Sequence, residues 1–382
     1  MRVLFAILFT WIAPANTWAE GARLNVIVIL ADDLGWTDLG CYGSDFYQSP
    51  HLDRLAADGM RFTANYSACT VCSPTRAALM TGKSPARLHI TDWIPGQMPG
   101  NPRLIVPDFT KHLPHEETTL AEVLKAAGYA TASIGKWHLG GEAFYPERHG
   151  FDVNIAGSDA PQPRPGYFAP YDIPMIEQGP AGEYITDRLG DEAVKFVHAH
   201  AEQPFFLYLP HFAVHTPIQA KASLVAKHRD RRAAGSRHRN APYTAMIESM
   251  DATVGRIRET LDELEIADRT AIVFTSDNGG RIPTTSNVPL RYGKGSAYEG
   301  GVRVPLIVYW PGVTQAGSTN DVPVITMDLF PTVLEMLGLS PPAGGEVDGV
   351  SLTPLLRQNG AIAERALFWH YPHYQHYQKG GT

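Results

Sequence analysis

Four apolar runs of strand length each end in a polar cluster. Residues 25–30 lead into Asp32 and Asp33, and residues 130–134 into Lys136, Trp137 and His138. Residues 205–209 lead into His211 and His215, and residues 271–275 into Asp277 and Asn278. The runs are short and rich in β-branched and aromatic residues, which favours buried strands over helices. Between them the period changes. Residues 118–128 carry a capping Thr, a first-turn Glu122 and a closing Gly128, the signals that start and stop a helix. Residues 184–200 repeat apolar positions at helical spacing, as do residues 243–264, where Met246, Met250, Val254, Ile257 and Leu261 form one core-facing stripe. Strands alternating with helices predict an α/β fold whose sheet is covered on both faces. In such sheets ligands bind beyond the carboxyl ends of the strands, so the four clusters are expected to form one site.

Other stretches carry less. Residues 161–166 and 282–294 are Pro- and Gly-containing loops, and the basic stretch 229–232 with Arg237, His238 and Arg239 reads as a solvated loop, with contact to an anionic substrate as the second reading. His370, His373 and His376 are spaced within an irregular, Pro-containing segment and are not expected to form a transition-metal site. No internal repeat is present.

The chain has 382 residues, 44% hydrophobic and 19% charged, which suits one large domain with a second small one. Its net charge of -7 argues against nucleic acid as a partner. Residues 1–19 read as a secretory leader: Arg2, an apolar stretch over 3–13, and Thr17-Trp18-Ala19 as a small-x-small cleavage site. That stretch is too short to span a bilayer, so the expectation is export to the periplasm or outside the cell, without stable membrane insertion. Three cysteines, Cys41, Cys69 and Cys72, are too few for a disulfide framework, and whether Cys41 and Cys69 pair stays open.

The chemistry gathers on a few positions. Asp32, Asp33, Asp277 and Asn278 are hard oxygen donors from two strand ends, a set that favours calcium or magnesium over zinc. Cys72 opens a predicted helix whose amino terminus would present N–H groups to an anion, and Arg76 follows one turn later. Lys136 and His138 straddle Trp137, and in an extended loop both would point the same way. His215 and Lys294 add a further acid and cation, and Trp93 stands either as a sugar-stacking face or as loop packing.

The run Cys72-Ser73-Pro74-Thr75-Arg76, continued by Ala77-Ala78-Leu79-Met80-Thr81-Gly82, resembles the type I sulfatase signature, whose Cys an oxidising enzyme converts to formylglycine. Ala31-Asp32-Asp33-Leu34-Gly35, Gly135-Lys136-Trp137-His138, Ser276-Asp277-Asn278-Gly279-Gly280 and Lys294-Gly295-Ser296-Ala297-Tyr298-Glu299-Gly300-Gly301 agree with it in order. The chain is thus similar to formylglycine-dependent sulfatases of the alkaline phosphatase superfamily, and most to the arylsulfatase A-like and N-acetylgalactosamine-type members.

The resemblance implies a large mixed, mostly parallel β-sheet sandwiched by helices, with a small C-terminal antiparallel subdomain. This chain ends about where that subdomain should begin, so residues 20–365 are expected to be the catalytic domain and 366–382 the start of a truncated subdomain. The resemblance further implies one Ca²⁺, with Mg²⁺ second, on Asp32, Asp33, Asp277, Asn278 and the modified Cys72. Asp277 would help deprotonate the gem-diol and Arg76 stabilise it. Lys136, His215 and Lys294 would hold the sulfate and assist the leaving alcohol, and His138 would take the proton of the second hydroxyl. A sulfated saccharide or aryl sulfate would be the substrate, and a formylglycine-generating or anaerobic maturase the partner in biosynthesis. The alternatives are a phosphatase, phosphodiester or phosphonate hydrolase of the same superfamily, or a sulfated-glycan binder if Cys72 stays unmodified.

Overall fold

The computed structural model describes residues 23–97, 100–231, 236–342 and 344–375; the expected leader over 1–19 and His376 lie outside them. Among the described residues there are ten strands: β1 Asn25–Ala31, β2 Met60–Phe62, β3 Asn65–Tyr66, β4 Ala130–Ile134, β5 Val153–Ile155, β6 Phe205–Pro210, β7 Thr270–Ser276, β8 Leu306–Tyr309, β9 Ser318–Asn320 and β10 Val324–Ile325. Eight of them form one sheet in the order β5-β4-β6-β1-β7-β8-β2-β9, and β3 pairs with β10 apart from it. The β5-β4-β6-β1-β7 half is wholly parallel, β8 runs antiparallel to both β7 and β2, and β9 is parallel to β2. This is the mixed, mostly parallel α/β architecture expected.

The continuous apolar character of the central strands follows from burial on both faces. Ile27, Ile29 and Ala31 of β1 pack into one core with the helices Ile185–Ala199 and Ala241–Glu263. The alternate residues Val26, Val28 and Leu30 pack into a second core with the helices Cys72–Thr81 and Leu120–Ala126. Met246, Met250, Val254, Ile257 and Leu261 all lie in the first core, as their spacing predicts. The helix Leu120–Ala126 starts on a capping box between Thr119 and Glu122, which satisfies two orphan N–H groups at once.

Parallel pairing sets the site. Because β4, β6, β1 and β7 are consecutive neighbours running the same way, their carboxyl ends emerge side by side. The register Ala31↔Ser276 makes Asp32 and Asp277 the next residues on adjacent strands. Among the described residues no helix is long and apolar enough to cross a membrane.

Candidate active site

Each of the four strand ends is fixed by a backbone bond to its neighbour. Asp277 N–H donates to Ala31 O at 3.1 Å, Asp32 N–H to Ala213 O at 2.9 Å and Lys136 N–H to Pro210 O at 2.7 Å. The turn before Lys136 requires glycine: Gly135 has φ 129°, and a Cβ there would lie 2.0 Å from Pro210 O. Asp33 (φ 63°) and His138 (φ 60°) are non-glycine residues in the left-handed region, a conformation that persists only where the surroundings impose it. His138 is therefore not in the extended chain that its alternation with Lys136 suggested.

Cys72 is the first residue of the helix Cys72–Thr81, which is buried along its whole length and has no side-chain cap at Val71. Its first-turn N–H groups and dipole thus remain available to an anion. Cys69 N–H donates to Thr75 Oγ1 at 3.0 Å, which holds the approach to the helix.

The cations pair with the carboxylates. Lys136 Nζ lies 2.7 Å from Asp32 Oδ2, Lys294 Nζ 2.6 Å from Asp33 Oδ1, and Arg76 NH2 2.7 Å from Asp277 Oδ2. Arg76 also reaches within 3.8 Å of Asp32 Oδ2 and donates through NH1 to Lys136 O at 2.7 Å. Lys294 Nζ is 3.5 Å from Cys72 Sγ. Asn278 Nδ2 donates to Asp33 Oδ1 at 2.8 Å, and Asp33 N–H to Asp277 Oδ1 at 3.2 Å. Burial and the neighbouring Asp277 charge push Asp32 up to about 8. Burial alone would raise Asp33 as well, but Lys294 and His215 outweigh it and hold that carboxyl well below the usual range. Burial pushes the Cys72 thiol up to about 11.

The two histidines have defined tautomers. His215 Nδ1 is 2.7 Å from Thr216 O, so it carries the proton and leaves Nε2 facing Asp33 Oδ2 at 3.7 Å. His138 Nε2 is 2.5 Å from Ile94 O, and its buried Nδ1 has no partner. Burial, then the positive charges of Lys294 and Lys136 respectively, depresses His215 to about 3 and His138 far below its ordinary value.

A metal ion fits this arrangement. Asp32 Oδ1, Asp33 Oδ2 and Asn278 Oδ1 are buried without a hydrogen-bond partner, a costly condition unless a cation completes them. Ligating atoms of Asp32, Asp33, Cys72 and His215 lie within 4.8 Å of one another, which brings His215 into the group that sequence alone assigned to oxygen donors. Asp277, by contrast, spends Oδ2 on two bonds from Arg76 and Oδ1 on the Asp33 N–H.

Every expected site residue (Asp32, Asp33, Cys72, Arg76, Lys136, His138, His215, Asp277, Asn278, Lys294) is thus drawn to the same end of the sheet. His211 is not used there: it is fully buried with both ring nitrogens unpartnered. His373 hydrogen-bonds Thr91 Oγ1 at 2.8 Å, and no metal-ligating group among the described residues includes it or His370. The three cysteines are free.

Sequence reasoning missed a supporting layer. Asp38 accepts from Tyr243 OH at 2.7 Å, Thr285 Oγ1 at 2.8 Å and Gly35 N–H at 2.9 Å, bracing the turn that carries Asp32 and Asp33. His238, expected in a solvated loop, is buried beside it, stacked on Tyr47 at 4.3 Å and hydrogen-bonded to Ser286 O at 3.0 Å. The stacking and the bond explain its burial.

Comparison with known proteins agrees with the geometry. The sulfatase family profile matches residues 24–339. A sulfatase of Formosa agariphila is 34% identical, covering 97% of this chain and 80% of that one. Human N-acetylgalactosamine-6-sulfatase is 35% identical over 91% of this chain and 68% of its own length. Among solved structures, Ps i-CgsB in complex with k-i-k-neocarrahexaose superposes with a TM-score of 0.78 at 32% identity, covering 89% of this chain and 77% of that one. With the profile spanning the Asp32-Asp33 and Asp277-Asn278 strand ends and the Cys72 helix between them, this chain belongs to the sulfatase family and is a sulfuric ester hydrolase.

Proposed function

We propose that the chain removes sulfate from a sulfated saccharide, using a formylglycine made from Cys72 and one bound calcium ion. The observation that carries this is the position of Cys72. It heads an uncapped helix, lies 3.5 Å from Lys294 Nζ, and has ligating atoms of Asp32, Asp33 and His215 within 4.8 Å. A saccharide substrate is supported by the relative named N-acetylgalactosamine-6-sulfatase and the neighbour bound to neocarrahexaose.

Asp32, Asp33, Asp277, Asn278 and residue 72 would hold the ion, with oxygen donors that suit calcium; it would draw charge from a sulfate oxygen. Formylglycine, supplied by a maturation enzyme, offers as its hydrate one hydroxyl to attack sulfur and a second that permits sulfate to be eliminated.

The remaining work falls to this chain's side chains. A sulfate ester repels nucleophiles, so Lys136 and Lys294 would neutralise its oxygens as charge moves to the leaving alcohol. Both now rest on carboxylates and would reach toward the anion from there. Arg76, held on Asp277, positions that carboxylate and the groups at residue 72. His138 would accept a proton at Nδ1, since its Nε2 is committed to Ile94 O. His215 would donate to the leaving oxygen only when protonated at Nε2, because Nδ1 faces Thr216 O.

The test compares matched 4-nitrophenyl sulfate and phosphate esters on protein produced with a maturation enzyme. Sulfate turnover that disappears in Cys72→Ala supports the proposal, and faster phosphate turnover reverses it.

A further inference from the structure

A cavity of about 530 Å³ lies between the loop 282–292 and residues 237–240. Its lining residues include Arg237, Arg239, Thr284, Ser286 and Tyr292, with no acidic residue, in a chain whose net charge is -7. Neither arginine forms an ion pair among the described residues. Arg237 NH2 donates to Gly43 O at 2.6 Å while its Nε is buried and unpartnered, and Arg239 Nε donates to Ser236 O at 2.9 Å. Guanidinium groups facing an acid-free cavity without a carboxylate favour an anion there, and bidentate recognition of a planar or tetrahedral oxyanion is their preferred use.

The cavity also touches the catalytic turns. Its lining residues Thr285 and Asn287 fill the space at Gly35 and Gly280, where an added Cβ would meet Asn287 Oδ1 at 2.7 Å and Thr285 Cγ2 at 2.4 Å. Gly35 closes the Asp32-Asp33-Leu34 turn and Gly280 lies two residues after Asn278. The loop continues to Lys294, so one segment lines the cavity and ends in the active site.

We propose that this cavity is a second anion subsite, binding an anionic group (sulfate ester or uronate carboxylate) on a sugar of the same glycan outside the scissile position. The Tyr292 ring would supply a face for the sugar, the arginines a partner for its charge, and Thr284 and Ser286 partners for its hydroxyls. This rests on the saccharide-sulfatase reading above and deepens it: the enzyme would prefer multiply charged oligosaccharides to singly charged ones.

The test uses Arg237→Ala/Arg239→Ala and the single charge reversal Arg239→Glu, which alters an exposed side chain. Binding is measured calorimetrically on Cys72→Ala protein with a κ-carrageenan tetrasaccharide, a galacturonate tetrasaccharide and a neutral galacto-tetrasaccharide. The double variant should weaken at least one charged probe about tenfold, leave the neutral one unchanged, and leave 4-nitrophenyl sulfate turnover by the Cys72 enzyme intact. The charged probe that loses more names the group. Unchanged binding of both charged probes by folded Arg239→Glu and the double variant, or an equal loss for the neutral probe, would overturn the subsite. An enzyme inactive on nitrophenyl sulfate would instead refute the sulfatase reading, while the binding arm still reports on the cavity.

Discussion

Lys136 donates to Asp32 across 2.7 Å although neither side chain reaches solvent. Two charges are rarely removed from water together without a function to keep them there, because desolvation offsets much of their attraction. The two residues follow the carboxyl ends of β4 and β1, which are not neighbours in the sheet but flank β6. Replacing Lys136 by Ala should therefore do two things. It should cost about 3–5 kcal/mol in stability by stranding the carboxylate, and lower kcat roughly 10²–10³-fold through loss of charge stabilisation. Chemical denaturation and turnover of 4-nitrophenyl sulfate, measured on the same preparation, check both.

Calcium removal should be visible without any assay of turnover. The unpartnered oxygens of Asp32, Asp33 and Asn278 predict a lower Tm in a chelator and recovery with added calcium. At a hundredfold excess over Kd the ion would add about 2.7 kcal/mol. Asp33→Asn should abolish the calcium-dependent part of the Tm shift. A Tm indifferent to chelator and calcium alike would count against the metal.

Tyr243→Phe probes the layer behind the ligands. The hydroxyl donates to Asp38 Oδ2 at 2.7 Å and to Asp33 O at 3.3 Å, and losing it leaves a buried carboxylate short of a donor. The expected cost is about 1–3 kcal/mol, together with weaker calcium binding in titration calorimetry. Normal calcium affinity in a destabilised variant would assign the bond to folding alone.

Acid should unfold the protein partly through histidines outside the site. His211 and His149 are buried with all four ring nitrogens unpartnered. Burial first, then Arg256, holds His211 down to about 3; burial first, then His115 and His112, holds His149 down to about 4, against an ordinary 6.5. Folded values below the unfolded one mean that the unfolded chain takes up more protons in between. The contribution is thus complete above 6.5 and is lost as pH falls toward those folded values. His211→Phe should flatten the decline of unfolding free energy below pH 6.5, measured by urea denaturation across a pH series. An unchanged slope would contradict this.

Much of the site was legible because parallel strands buried on both faces read as unbroken apolar runs, and the polar residue after each run marks the carboxyl edge. Asp32, Asp277, Lys136 and His215 were found that way, and Cys72 through its neighbours Pro74 and Arg76. Short strands were not legible. Met60–Phe62 and Ser318–Asn320 have three residues each, too few to display a period. Asp38 carries no local signal either, since its partners Tyr243 and Thr285 are distant in sequence. His238 looked solvated because it lies among arginines, yet tertiary stacking on Tyr47 buried it. The left-handed backbone at His138 was equally hidden, being imposed by the surrounding loops and not by residue type.

The central claim is that the side chain at position 72 performs the chemistry as an aldehyde hydrate. Peptide mass spectrometry across Cys72 gives the fraction converted from –CH₂SH to –CHO, and the same samples give 4-nitrophenyl sulfate turnover. In preparations made with graded amounts of maturation enzyme, turnover should rise in proportion to that fraction and extrapolate to zero. Full activity in protein whose Cys72 remains a thiol would contradict the account.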